Sequence, residues 1–152
     1  MSTKITTLYN NMVTRIEALF PNKHRLTNPY AVELNGHIFL KDGWGLAVSS
    51  GENTNRQLSC TMSINRTMIV TLTNELLATE LDPVTKAVME KTLLEDHFTL
   101  IKDFEKDTTI NSSSFRTSFL SDSGIQFVVS EDKPFIYIQA IFETEYMEDL
   151  NT

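Results

Sequence analysis

The residue types that most often carry reactions are sparse in this chain, and the histidines are the first to consider. His24, His37 and His97 fall on a linker, a hairpin and a helix of the expected fold, and none has a Cys, His or acid at metal-ligand spacing. The single cysteine, Cys60, lies in the apolar register of an expected strand, which favours a buried filler over a nucleophile. These residues therefore predict neither a metal site nor a nucleophilic site.

Carboxylates and glycines also lack the spacing that acid–base or phosphate chemistry needs. The adjacent acids Glu95 and Asp96, like Glu131 and Asp132, do not share a helix face and make poor acid–base pairs. The glycines are explained by turns, and the chain has no phosphate-loop, dinucleotide-binding or nucleophile-elbow motif. The sequence therefore predicts no catalytic residue, no cofactor and no enzymatic activity.

The charge of the chain is acidic and unevenly distributed. The net charge is −7 over 152 residues, which argues against broad nucleic-acid binding because such binding needs Lys and Arg against phosphate. Four of the first 30 residues are basic and one is acidic, whereas the segment after Lys133 has four acids and no basic residue. One interpretation is solvated faces, and the other is that a basic end of one copy meets an acidic end of another. No run of 18 apolar residues is present, so no membrane span is expected.

Two helices are predicted from apolar spacing and from their end signals. Residues 3–20 are amphipathic and end before Pro21, which pushes the preceding residue out of helical geometry. Residues 82–106 begin with Asp82 as the cap and Pro83 at the first helical position. The apolar face predicted for this second helix consists of Val84, Ala87, Val88, Leu94, Phe98, Ile101 and either Phe104 or Glu105.

A long β-element over residues 58–72 organises the rest of the sequence. Apolar and polar residues alternate there with two exceptions, Arg66 and Ile69, so one face is expected to be buried and the other wet. A straight strand of this length would span roughly 50 Å, which exceeds an ordinary strand. Either it is one bent strand that leaves its own core to reach a neighbour, or it is a hairpin that turns near Asn65 and Arg66.

The remaining strands are predicted from alternation and turn signals. Residues 30–41 give two strands around an Asn35–Gly36 turn, Asp42–Gly43 gives a second turn, and residues 49–57 give an exposed loop. We therefore predict one α+β domain over residues 1–152, with a mostly antiparallel sheet, a long extended β-element and both helices on one face. Its parts are helix 3–20, β-meander 30–73, helix 82–106 and C-terminal strands 115–146.

Six residues are candidates for contact with another subunit or a partner. Arg66 lies in an apolar register, where it is either solvated or paired with an acid of a neighbour. Trp44 stands between two glycines and is either a core anchor or an interface hot spot. The segment 49–57 is either a simple connection or a docking loop. The complete set is Trp44, Asn53, Arg56, Arg66, Glu143 and Glu145.

The order of the elements, the extended middle β-element and the acidic closing strand PFIYIQAIFETEYMEDL together resemble the tail terminator proteins of long-tailed bacteriophages. The resemblance covers nearly the whole chain as architecture, with DGWG and NRTMIVTLTNEL as suggestive stretches. It implies a homo-oligomeric ring of six subunits that caps the tail tube, ends its polymerisation and presents the surface that joins the head. An element too long for its own core would serve such a ring by sheet extension.

The resemblance also implies the partners and the location of the chain. The partners are further copies of itself, the tail tube protein and a head-side neck or connector protein, while DNA passes through without sequence-specific binding. The protein would be made in the host bacterial cytoplasm and would reside in the tail or neck of the virion. The alternatives are a small acidic secretion chaperone, which would dimerise around an unfolded effector, and a head-completion or connector protein of the neck.

Overall fold

A mostly antiparallel β-sheet with two helices forms the structure, which is a computed structural model describing residues 4–25, 42–57, 61–77, 79, 81–114, 116–130 and 132–149. The elements in chain order are α1 (Lys4–Leu19), β1 (His24–Arg25), β2 (Asp42–Gln57), β3 (Thr61–Glu75), α2 (Pro83–Lys106), β4 (Arg116–Asp122), β5 (Gln126–Ser130) and β6 (Lys133–Asp149). The sheet order is β1-β2-β3-β6-β4. Strand β5 pairs with residues 133–137 of β6, ahead of the segment that pairs with β4. Only β1 and β2 pair in parallel among these strands, so the predicted α+β class is confirmed.

Strand β3 is the middle of the sheet, and its even-numbered apolar residues from Ile64 to Leu72 face the core as the alternation predicted. The prediction that the other face is wet is wrong at Ser63 and Thr71, which are buried, as is Thr73 just beyond them. Each of its residues has a partner in β6, from Thr61 opposite Asp149 to Glu75 opposite Phe135, and β2 pairs along its other side. The strand is continuous, so it makes no hairpin near Arg66. The idea that this element leaves its own core for a neighbour is wrong for residues 61–75, because strands of the same chain pair with both of its sides. Residues 58–60 lie outside the described residues.

Both helices pack on one face of the sheet, as expected, with bounds close to the predicted ones. Buried side chains of α1 and α2 share one core with the even-numbered residues of β3 and β6. Between the helices, Arg15 Nη2 lies 3.0 Å from Asp103 Oδ2. Asp82 caps α2 by accepting a hydrogen bond of 3.1 Å from the backbone N–H of Thr85, and this bond lowers the pKa of the Asp82 carboxyl.

The face of α2 that enters the core differs from the predicted face. The buried residues are Leu93, His97, Leu100 and Phe104, of which only Phe104 belongs to the predicted set. Aromatic contacts hold this face on the sheet: the Phe104 and Phe142 ring centroids are 4.9 Å apart, and those of His97 and Phe119 are 5.7 Å apart. The first part of the predicted face, from Val84 to Phe98, lies towards solvent, whereas Ile101 packs partly against the core. The helix carries two apolar stripes, and contact with β4 and β6 selects the other one.

Strand β2 is longer than its sequence suggested. The Asp42–Gly43 pair was expected to turn, but it starts the strand, and residues 49–57, expected as a loop, continue it as far as Gln57. Pairing with β3 therefore outweighs the polar side chains of this segment, since strand preference depends strongly on context. The register shifts twice, between Val48 and Gly51 and between Asn53 and Asn55. The strands predicted over residues 30–41 lie outside the described residues.

The C-terminal strands confirm the predicted order with longer ends. The region predicted as 115–146 contains β4, β5 and β6, and β6 is paired on both sides. A turn follows β4. Gly124 has a φ of 68°, a left-handed value that favours glycine, and its N–H donates to Asp122 Oδ1 at 2.8 Å.

A pair of Phe→Ala substitutions tests the two faces of the helix–sheet packing. Phe142 is fully buried in the core, so Phe142→Ala should lower the free energy of unfolding by about 3–5 kcal/mol. Phe98 is 59% exposed, so Phe98→Ala is the matched control and should change it by less than about 0.5 kcal/mol. Urea unfolding followed by circular dichroism at one low protein concentration measures both. Equal losses would contradict the assignment of the inner face of α2.

Candidate functional site

Trp44 lies in the core and not on a contact surface. Its side chain is 1% exposed, and it packs among the buried residues that both helices share with the sheet. The Arg25 guanidinium lies 5.7 Å from the Trp44 ring centroid and 5.6 Å from that of Tyr9. The core-anchor interpretation therefore describes Trp44 in this structure.

Arg66 lies on the helix-covered face and is bound inside its own chain. Its Nε donates to the Tyr146 hydroxyl at 3.0 Å, and its Nη1 donates to the Ser49 carbonyl at 3.0 Å. The guanidinium rests on Gly51 so closely that a Cβ there would lie 2.7 Å from Arg66 Cζ. Arg66 thus joins β2, β3 and β6, and an additional ion pair with an acid of another copy stays a prediction.

Glu143 and Glu145 lie on the opposite face of the sheet, away from the helices. Glu145 pairs across the sheet with Arg116 of β4 on one side and with Asn65 of β3 on the other. The Asn65 amide Nδ2 donates to Glu143 Oε1. The structure therefore brings the two acids together and separates them from Trp44 and Arg66. Asn53 and Arg56 have backbone positions in β2, and their side chains lie outside what the structure describes.

This second face, here called the open face, consists of the side chains around Glu143 and Glu145 on β3, β4 and β6 that point away from α1 and α2. Farther along the same side of the sheet, Thr71, Thr73 and Phe135 are buried and do not belong to it. It contains a shallow depression of about 280 Å³. The lining residues are Asn65, Arg116, Ser118, Leu120, Glu143 and Glu145. Leu120 is 53% exposed, and half-buried Ile69 and Ile141 continue the apolar part of the face. The open face thus combines an apolar patch with two acids and one arginine.

The outward face of α2 forms a second unusual surface, here called the outer stripe. Its members are Val84, Val88, Leu94 and Phe98, with exposed fractions from 47% to 76%. Scattered exposed apolar residues are ordinary, but a row at helical spacing along one side of a helix is typical of an interaction surface. Lys91 and Glu95 lie within this row, with Lys91 Nζ 3.9 Å from Glu95 Oε1. Periodicity found these residues in the sequence but assigned them to the core.

The edges of β4 and β2 are poorer contact surfaces than these two. On β4, the outward N–H of Thr117 donates to the Thr108 carbonyl at 2.6 Å, and that of Phe119 donates to Glu105 Oε1 at 3.4 Å. On β2, the Leu46 carbonyl accepts from the Tyr9 hydroxyl at 3.4 Å, and two register shifts interrupt the strand beyond it. Covered and irregular edges pair poorly with a second chain. Association through side chains is therefore better supported than association through sheet extension.

The reactive residue types remain dispersed in the described part of the chain. No three His, Cys, Asp or Glu side chains among these residues are placed to hold a metal ion. His97 is 5% exposed and its Nε2 lies 3.3 Å from Asp122 Oδ2. Burial lowers the pKa of His97, and the Asp122 carboxylate partly opposes that shift. None of the described helices is long and apolar enough to cross a membrane.

No known protein-family model matches the chain, and no curated protein is significantly similar to it. The features of this chain that bear on function are therefore the two surfaces described above and the architecture of the fold. Sequence reasoning named Glu143 and Glu145 but missed Asn65, Arg116 and Leu120, which surround them. The signal for these partners is their cross-strand register, which only the pairing of β3, β4 and β6 reveals.

A double-mutant cycle tests the contact between Gly51 and Arg66. Gly51→Ala should lower the free energy of unfolding, because the new methyl group displaces the guanidinium from Tyr146 and Ser49. In an Arg66→Ala background the same change should have little effect, giving a coupling free energy of about 0.5–3 kcal/mol. Urea unfolding of the four proteins measures this quantity, and additive effects would contradict the contact.

The lowered pKa of His97 predicts how stability depends on pH. An unfolded histidine has a pKa of about 6.5, so below that pH the unfolded chain binds a proton that folded His97 still excludes. The free energy of unfolding should therefore fall as the pH drops from about 6.5 towards the lower folded pKa. His97→Gln should flatten this dependence, whereas His24→Gln, at an exposed residue, should leave it unchanged. Equal slopes in the wild type and His97→Gln would contradict the assignment.

Proposed function

We propose that this chain is a structural assembly protein that forms a ring on the tail tube of a long-tailed bacteriophage. In this role the ring ends tube polymerisation and provides the surface for joining the head. The observation that carries the proposal is the outer stripe of α2, four large apolar side chains exposed along one side of a helix. A partner that covers this stripe removes apolar area from water, which is the main driving force of association.

The placement of the two surfaces favours a ring over a simple pair. The outer stripe belongs to the helical layer and the open face belongs to the far side of the sheet, so one chain carries two different contact surfaces. Contacts between unlike surfaces pass from one copy to the next and close into a ring when the rotation allows it. A symmetric dimer, in contrast, needs only one surface that is complementary to itself.

The fold is compatible with the resemblance to tail terminators but changes the expected contact. A mostly antiparallel sheet with two helices on one face agrees with the architecture on which that resemblance rests. The long β-element, however, is satisfied within its own protomer. Ring contacts are therefore assigned to side-chain surfaces, and the acidic chain still suits passage of DNA through a bore without binding it.

Electron microscopy and light scattering of the purified chain, alone and with the tail tube protein of the same phage, test the proposal. We expect six-membered rings, either free or only at tube ends, and tubes that stop growing when the chain is added. A chain that stays monomeric and leaves tube growth unchanged would contradict the proposal. A dimer that binds an extended peptide would instead support the secretion chaperone, and a ring that binds only a head connector would support the head-completion protein.

A further inference from the structure

We infer that the outer stripe of α2 in one copy packs on the open face of the sheet in the next copy. This contact rests on the proposed ring and specifies how its subunits join. The open face has no helix of its own among the described elements, because α1 and α2 both pack on the other face. A helix from a neighbouring copy would complete a third layer, as helices do on both faces of many sheets.

The apolar parts of the two surfaces match in kind and position. Phe98 is 59% exposed on the stripe, and Leu120 is 53% exposed at the depression on the open face. Leu120 is the apolar member of the lining of the depression, and the other lining side chains are polar or charged, so Phe98 of one copy can pack on Leu120 at the margin of the depression. Covering these two exposed side chains removes apolar area from water on association.

The charged parts of the two surfaces are complementary as well. The stripe carries Lys91 and Glu95 one helical turn apart, and the open face carries Glu145 directly opposite Arg116. Lys91 of one copy can therefore face Glu145 of the next while Glu95 faces Arg116. The Lys91–Glu95 pair is well exposed, with side-chain fractions of 79% and 67%, so its mutual attraction is weak and both groups are available to a partner.

The simplest alternative is that two copies of α2 pair with each other. An antiparallel pairing centred on Lys91, the midpoint of the stripe, would set Lys91 against its own copy, and like charges facing each other oppose association. A pairing centred two residues further along the helix would instead set Lys91 against Glu95 of the other copy, so the variants below, and not charge, separate the two arrangements.

Two variants separate the two halves of the contact. The helix variant carries Val88→Glu and Phe98→Glu, which put two negative charges on the outer stripe. The face variant carries Leu120→Lys and Glu145→Lys, which put two positive charges on the open face. All four residues are exposed. Each variant alone should be monomeric at concentrations at which the wild type forms rings. Mixed together, they should form a one-to-one dimer and nothing larger, because one intact stripe meets one intact face. Light scattering of the separate and mixed samples, with circular dichroism as the folding check, measures this.

A charge exchange tests the ion pair itself. Lys91→Glu and Glu145→Lys should each weaken ring formation at least tenfold, and the two together in one chain should restore it. Lys4→Glu, at an exposed residue of α1, makes the same change of net charge as Lys91→Glu but outside both surfaces, and it should leave ring formation unchanged. Sedimentation over a concentration series gives the association constants.

The outcomes separate this contact from the function on which it rests. Rings that persist in the helix variant and in the face variant would overturn the contact and leave the ring proposal standing. A face variant that still dimerises by itself would show that α2 pairs with α2. A wild-type chain that stays monomeric with and without tubes would overturn both proposals.

Discussion

The complete pairing of β3 inside its own chain is the constraint on which the rest of the structure depends. Each N–H and C=O of a buried strand needs a hydrogen-bonding partner, and β2 and β6 supply these partners on the two sides of β3. The even-numbered side chains of β3 are then fixed towards the helices, and the odd-numbered ones towards the opposite side of the sheet. A strand paired on both sides has no edge to offer, so any contact that β3 itself makes with another molecule passes through its side chains.

The sequence predicted those elements whose signals are local. Alternation over residues 58–72 identified β3 and its buried face, and Asp82 with Pro83 identified the start of α2. The prediction of an exposed loop over residues 49–57 was wrong, because this segment becomes a strand by pairing with β3 and its polar side chains do not reveal that pairing. The inner face of α2 failed because two apolar stripes share one helix, and only contact with Phe119 and Phe142 decides between them.

The residues of the candidate surfaces also divide into those with a local sequence signal and those that only the fold brings together. The acidic end of β6 was visible in the sequence, so Glu143 and Glu145 were named, but Arg116 joins them only through the register of β4. Arg66 was noticed because a charge stood in an apolar register, yet its partner Tyr146 is 80 residues away in the chain. Long-range partners of this kind follow from the fold as a whole, so no local pattern could have supplied them.

The two irregularities in β2 carry a consequence for how the protein behaves when it is crowded. Each register shift moves the outward N–H and C=O groups of β2 out of alignment with a regular strand beside it and increases the local twist. Regular strand pairing between copies along this border is therefore unfavourable, which opposes aggregation through this strand at high concentration.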